Sequence, residues 1–173
     1  MQATSFDPRA RLSVTPPQPA VAITDPALVA LAERGRARAD EAGLIHYAEF
    51  LPDEAWTLVQ AGVAVLVDVR TVEERIYVGH VPGSLHLAWQ TGTSMTKNPR
   101  FTRELESRVA KDALVLLLCR SGNRSAAAAE AAAKAGFTRV ANLREGFEGE
   151  RDEQGQRGRL DGWRLRGLPW QQD

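Results

Sequence analysis

Residues 114–136, LVLLLCRSGNRSAAAAEAAAKAG, constrain this chain more than any other stretch. The apolar run 114–118 is too short for a helix and suits a strand buried on both faces. Polarity then changes within one residue. Residues 119–125 are small and polar, and 126–135, the densest block of helix formers in the chain, is closed by Gly136. A buried strand, a polar loop and a helix follow one another directly, and the chain's single cysteine stands at the junction.

That position has chemical consequences. The first amides of a helix lack internal partners and point, with the positive end of the macrodipole, at whatever precedes them, so they favour an anion. Arg120 and Arg124 add fixed positive charge. Both effects favour the thiolate of Cys119, which is the nucleophilic form. Gly122 allows a tight turn, and Ser121, Asn123 and Ser125 offer side-chain donors, so the loop can cradle a charged sulfur or an oxyanion. A lone cysteine after a buried strand is ordinarily a small core hydrophobe. Two arginines, a glycine and three hydroxyl or amide residues in the next six positions are poor core material.

CRSGNRS after an apolar strand resembles the active-site loop of rhodanese-like sulfurtransferases. LVDVRTVEERIYVGHVPGSLHL, residues 66–87, is similar to that family's second signature, and with LPDEAWTLVQAG at 51–62 the resemblance covers about residues 45–170. It implies a three-layer α/β domain with a central parallel five-stranded sheet and helices on both faces. It also implies a thiosulfate sulfurtransferase activity, in which Cys119 attacks the outer sulfur of a small anionic donor and becomes a persulfide. The sulfur then passes to cyanide or a thiol acceptor, an acceptor protein included. Cys119 is the implied catalytic residue, and Arg120, Ser121, Gly122, Asn123, Arg124 and Ser125 are the implied substrate-binding set. No metal and no organic cofactor is called for.

Two neighbouring activities fit the loop less well. The mercaptopyruvate-specific branch usually carries a CGSGVT-like loop, whereas the two charges of CRSGNR favour an inorganic oxyanion. Phosphatases and arsenate reductases of related loop design space the two residues as C-x5-R, while Cys119 and Arg124 form C-x4-R and enclose less room. A different class stays open: a sulfur carrier or regulatory binding module that does not turn over by itself.

The remaining sequence sets the frame. Its 173 residues suit one domain of ordinary size, and 22 basic against 22 acidic residues argue against nucleic-acid binding. One cysteine excludes an internal disulfide and a cysteine-based zinc site. No apolar span is long enough to cross a membrane, and residues 1–24 carry no apolar signal core, so a cytoplasmic protein without membrane contact is expected. Residues 1–24, with Pro8, Pro16, Pro17 and Pro19, are read as a disordered tail. Residues 25–43 are read as a helical extension opened by Asp25-Pro26, with a narrow stripe of Leu28, Leu31 and Ala39. The main domain is 44–173.

Within that domain the expected strands are 44–47, 64–69, 84–87, 114–118 and 139–143, alternating with helices at 52–61, after the capping box Thr71-x-x-Glu74, at 99–109 and at 126–135. A polar loop is expected at 88–98 and a last short helix at 161–168, with Trp163 and Trp170 packing on the body. Strands alternating with helices imply a parallel sheet, whose sites gather at the carboxyl ends of strands. Asp68 and Arg70 end a second strand on that edge and are second-tier candidates for the anion site, with a structural ion pair as the favoured reading. His46, His80 and His86 are read as structural, because helix dipole and arginines activate Cys119 without a base. Residues 147–160, FEGERDEQGQRGRL, are a solvated loop or hairpin where the resembled family usually has a shorter connection. They are either a neutral insertion or a carrier of Arg151, Arg157 or Arg159 to the active-site edge.

Overall fold

In the computed structural model, which describes residues 18–172, the apolar run Leu114–Leu118 is the middle strand of a five-stranded parallel sheet. The elements in chain order are α1 (Pro26–Glu41), β1 (Ala48–Phe50), α2 (Pro52–Gln60), β2 (Ala64–Asp68), α3 (Val72–Val78), β3 (Leu85–His86), β4 (Gln90–Thr91), β5 (Thr96–Lys97), α4 (Phe101–Glu106), β6 (Leu114–Leu118), α5 (Asn123–Lys134) and β7 (Val140–Leu143). The sheet order is β1-β7-β6-β2-β3, and every neighbouring pair is parallel. Most of the tail read at 1–24 lies outside the described residues; within it, Gln18 makes a parallel bridge to Val109.

The period of two along β6 sorts its side chains between the layers. Leu114, Leu116 and Leu118 pack with Leu31 of α1 and with Ala55 and Leu58 of α2, while Val115, Leu117 and Cys119 pack with α4 and α5. Both faces are thus covered, as a parallel sheet requires. Helix α1 is seated closely on the first layer: Gly35 lies against the Phe50 ring where a Cβ would collide with it. Arg38 then makes a bidentate pair with Glu54 of α2 at 2.6 and 2.7 Å. Asp25 caps α1 through Ala27 N, and Thr71 and Glu74 cap α3 reciprocally, as their sequence positions indicate.

Several boundaries differ from expectation, each for a local reason. The first strand is Ala48–Phe50 rather than 44–47. Leu44 and Ile45 are exposed, and pairing begins only where Tyr47 N donates to Val140 O at 2.8 Å. The expected loop at 88–98 contains the antiparallel pair β4–β5. The helix expected at 99–109 is confined to Phe101–Glu106, although Phe101, Leu105 and Val109 are all buried as their spacing implies. No helix forms at 161–168. Gly162 and Gly167 both adopt positive φ, and the amides of Trp163 and Arg164 donate to Gly146 O and Phe147 O instead of closing helical turns. Trp163 is nonetheless fully buried, and Trp170 stands edge-on to Phe147.

Candidate functional site

The alternation that turns Val115 and Leu117 toward α5 carries Cys119 to the same face, at the carboxyl end of the central strand. Its side chain is 1% exposed. Helix α5 starts at Asn123, three residues earlier than the alanine block suggests, with Gly122 as its cap at φ 94°. The left-handed backbone there is one a side chain would resist, and it turns the Gly122 amide back onto Cys119 Sγ at 3.1 Å. Ser125, on the first turn of the helix, places its hydroxyl 3.1 Å from the same sulfur. The sulfur therefore faces a helix N-terminus, as the sequence implies.

The loop arginines do not both point at the sulfur. Arg124 is held by Glu74 of α3 in a bidentate pair at 2.7 and 2.6 Å, with Met95 Sδ at 3.7 Å. Burial weighs against the Arg124 charge, but hydrogen bonding to Glu74 and its carboxylate charge, with smaller contributions from Cys119 and Asp68, outweigh it and raise the pKa above the usual value. Arg120 Nε is buried and, among the described residues, has no hydrogen-bond partner. Ser121, Gly122 and Asn123 line a cavity of about 420 Å³, bounded also by Asn142, Arg144 and Glu145.

The loop is propped from behind by the segment after β7. Phe147 N donates to Cys119 O at 2.8 Å, and Glu148 N and Gly149 N donate to Arg120 O at 2.9 and 3.2 Å. With its carbonyls engaged outward, the loop is free to turn amides inward. Gly146 makes this approach possible: a Cβ there would sit 2.5 Å from Arg120 C and 2.6 Å from Cys119 O. Glu145 beside it holds φ 65°, and its carboxylate accepts from Gly162 N at 3.0 Å and Arg166 Nε at 2.8 Å.

The insertion 147–160 thus begins inside the domain, with Phe147 fully buried, before it becomes the exposed loop read from composition. Its turn is organised by Asp152, which accepts from Gln154 N and Gln156 N. It does rise beside the Cys119 loop. Arg157, however, donates to Gly149 O within the insertion, Arg159 faces Asp152 at 3.5 Å, and Arg151 is exposed.

At the end of β2, Arg70 Nε and Nη2 reach Asp68 at 3.0 and 2.8 Å, and Arg75 adds a third contact at 2.9 Å. Burial disfavours the Asp68 charge, yet the Arg70 charge and hydrogen bonds, with Arg75, hold its carboxyl below the usual carboxylate range. Arg70 also donates to Gly79 O and lies over the Phe147 ring at 4.1 Å. The histidines are bonded elsewhere: His46 to Glu49 at 2.6 Å, His86 to Arg70 O at 2.9 Å, and His80 faces Gln171 at 3.1 Å. His86 lies in β3 as expected, while His46 precedes β1.

Sequence reasoning missed Glu49 and Asn142. Cross-strand neighbours in the β1–β7 register, they fall on the α5 face, where Asn142 Oδ1 lies 2.6 Å from Ser125 Oγ. A carboxylate and an amide inside otherwise apolar strands are the signal that would have found them. Among the described residues no cluster of three or more His, Cys, Asp or Glu side chains could hold a metal ion, and no helix is long and apolar enough to cross a membrane.

Comparison with known proteins agrees with this architecture. A crystal structure of Rv0390 from M. tuberculosis superposes with a TM-score of 0.65 at 42% identity, covering 72% of this chain and 97% of that one. A Rickettsia rickettsii relative, the uncharacterized RP600 homolog, is 34% identical over 119 residues, which are 66% of this chain and 88% of its own. Thiosulfate sulfurtransferase 16 of Arabidopsis thaliana chloroplasts is 34% identical over 95 residues, 54% of this chain and 78% of its own. The rhodanese-like domain model matches residues 51–152, from the first turn of α2 through the Cys119 loop and its prop. With more than half of its length in that match, the chain belongs to the rhodanese-like domain family.

Proposed function

We propose that the protein is a sulfurtransferase that moves sulfane sulfur from thiosulfate, or a donor of similar charge, to cyanide or a thiol through a persulfide on Cys119. The observation that carries this reading is the convergence of the Gly122 amide and the Ser125 hydroxyl on the sole cysteine sulfur at the N-terminus of α5. Donors so placed stabilise negative charge on sulfur before attack and on the outer sulfur afterwards.

In the first half-reaction the Cys119 thiolate attacks the outer sulfur of thiosulfate. A new S–S bond forms, the donor's S–S bond breaks, and sulfite leaves with its electron pair. In the second, cyanide attacks the outer persulfide sulfur, thiocyanate departs and the thiolate is restored. No external oxidant or reductant is consumed. Arg120, whose Nε is an unspent buried donor, and the amides of residues 121–123 suit the oxyanion of the donor. Arg124, neutralised by Glu74, acts mainly by holding α3 against the loop and contributes field rather than a contact. The cytoplasm, where thiols stay reduced, is the setting a single reactive cysteine suits.

Thiosulfate-dependent thiocyanate formation tests the reading. Native protein should turn over, and Cys119→Ser should not. Retained activity in that variant would refute it. Aryl phosphate hydrolysis should be negligible, since the C-x4-R loop leaves little room for a tetrahedral phosphate. The 1% exposure of Cys119 favours a second reading, a carrier that shields its persulfide until an acceptor docks. A stoichiometric persulfide that is discharged by a protein thiol yet shows no steady-state turnover with cyanide would select the carrier.

A further inference from the structure

Behind the Cys119 sulfur runs a buried polar row that the sulfur chemistry does not itself require. Ser125 Oγ lies 2.6 Å from Asn142 Oδ1, Asn142 Nδ2 lies 3.1 and 3.2 Å from the two Glu49 oxygens, and Glu49 Oε1 lies 2.6 Å from His46 Nε2. Ser125 is fully buried, Asn142 and His46 are 4% exposed, and Glu49 is 7% exposed. Such a row in a sheet of valine, leucine and alanine would be costly unless every member were satisfied.

The chemistry of the groups fixes the direction of the bonds. Only the NH2 side of Asn142 can face the Glu49 carboxylate, so its carbonyl must face Ser125. The Ser125 hydroxyl has one proton and three acceptors within reach: Asn142 Oδ1 at 2.6 Å, Cys119 Sγ at 3.1 Å and Gly122 O at 3.1 Å. One proton serves one acceptor well at a time, and the shortest contact is to Asn142. Ser125 therefore cannot be a standing donor to the sulfur.

We propose that Glu49 and Asn142 are positioning residues that compete with Cys119 for the Ser125 hydroxyl proton, so that the hydroxyl is withheld from the thiol and released to the sulfur only when it carries charge. The inference rests on reading Cys119 as the reactive thiol and goes beyond it by assigning the strand residues that set its donor. In the thiol state the Cys119 S–H donates to Ser125 Oγ and the hydroxyl donates to Asn142. In the thiolate or persulfide state the hydroxyl rotates to the sulfur, joining the Gly122 amide. This restrains over-stabilisation of the thiolate, and a less stabilised thiolate is the better nucleophile.

Other charges reach both ends of the row. Glu49 is faced by His46 ahead of β1, by Arg144 Nε at 3.8 Å after β7, and by Arg38 of α1, whose Nη1 donates to Glu49 O at 3.0 Å. Glu130 of α5 interacts electrostatically with His46, and Arg124 with Cys119. Removing the Glu49 charge would thus favour the thiolate through space as well as through the row, and the test must separate the two routes.

The experiment is a titration of the thiolate ultraviolet absorbance, referenced to Cys119→Ser, which reads the one thiol whether or not sulfur is transferred. In Glu49→Gln the Asn142 amide is free to flip and the Ser125 proton to turn to the sulfur. The inflection should move to lower pH by about half a unit or more, the worth of part of one hydrogen bond. Asn142→Leu, which removes the competing carbonyl, should move it in the same direction and carries the test if Glu49→Gln does not fold. In a Ser125→Ala background the Asn142→Leu shift should vanish and the Glu49→Gln shift should shrink to its through-space part, because the shared proton is gone. Shifts of equal size with and without Ser125, or no shift in the folded single variants, would overturn the proposal. Failure of thiocyanate formation in otherwise native protein would bear on the sulfurtransferase reading and leave this titration intact.

Discussion

Two strands of the same sheet end side by side on the same edge, and both deliver charge there, yet they do opposite things with it. At the end of β2 the buried Asp68 carboxylate is bridged by both Arg70 and Arg75. At the end of β6 the Cys119 sulfur meets an amide and a hydroxyl, and the nearby Arg124 is paired by Glu74 from the neighbouring helix. The carboxyl edge of a parallel sheet is therefore a place where a site can be built and not a site by itself. What distinguishes the two ends is what the donors converge on, a carboxylate at β2 and a thiol sulfur at β6. The Asp68 cluster is a buried ion pair that ties β2 to α3, whereas the β6 loop turns an amide and a hydroxyl onto the one cysteine.

This contrast is broken most severely at the scaffold end. Asp68→Ala would leave Arg70 buried and unpaired at 0% exposure and should cost about 3–5 kcal/mol of stability, read by urea unfolding. Thiol chemistry in the molecules that remain folded should persist. Loss of Cys119 reactivity with stability unchanged would reverse the roles assigned to the two ends.

Gly146→Ala attacks the other end from behind. Its Cβ would collide with the Arg120 and Cys119 carbonyl region at a positive φ of 67°, so about 1–3 kcal/mol of stability should be lost. Sulfur transfer should fall by more than that loss of folded protein explains, since the loop amides are displaced. Unchanged turnover per folded molecule would mean that the prop does not set the loop. Glu74→Gln should have a smaller effect, about 1–2 kcal/mol, by removing a charged partner from Arg124. Because it frees a cation beside the site, it should also lower KM for an anionic donor.

Acid sensitivity sharpens the same comparison. For both Asp68 and Glu74 burial opposes ionisation, but their arginine partners outweigh it and hold the folded pKa below the usual value. A group depressed in the folded state adds stability that is full above its unfolded pKa, about 3.9 for Asp and 4.3 for Glu, and is lost as pH falls through the folded value. The thermal midpoint should hence decline below about pH 4, and Asp68→Asn and Glu74→Gln should each flatten that decline. Variants with an acid limb parallel to the native one would show that these pairs do not govern it. The smallest effect concerns the insertion: replacing residues 150–159, beyond the two amides that prop the loop, with a short glycine linker should leave persulfide formation intact and change KM for donor or acceptor little, because Arg157 and Arg159 are bonded within the loop. A several-fold KM shift would assign the insertion a role at the site.

Much of this was legible in the sequence, because it depends on short-range pattern. The run at 114–118, the capping box at Thr71 and Glu74, and the glycine at 122 name their own conformations. The reading went astray where a distant partner decides the outcome. Leu44 and Ile45 look more strand-like than Glu49, but Asn142 from another strand makes Glu49 a buried strand residue. Residues 161–168 look helical until their amides find Gly146 and Phe147. The tie of Arg124 to Glu74 spans fifty residues, and no local rule announces it. The sequence accordingly marked the cysteine and the loop that opens α5 but not the row behind Ser125 nor the allegiance of Arg124.

The most direct measurement of the central claim is the intact mass of the protein after incubation with thiosulfate and then with cyanide. The account predicts a gain of one sulfur atom on the native chain, absent in Cys119→Ser, that cyanide removes with formation of an equivalent of thiocyanate. A native chain that gains no sulfur, or a Cys119→Ser chain that gains and discharges it equally, would contradict it.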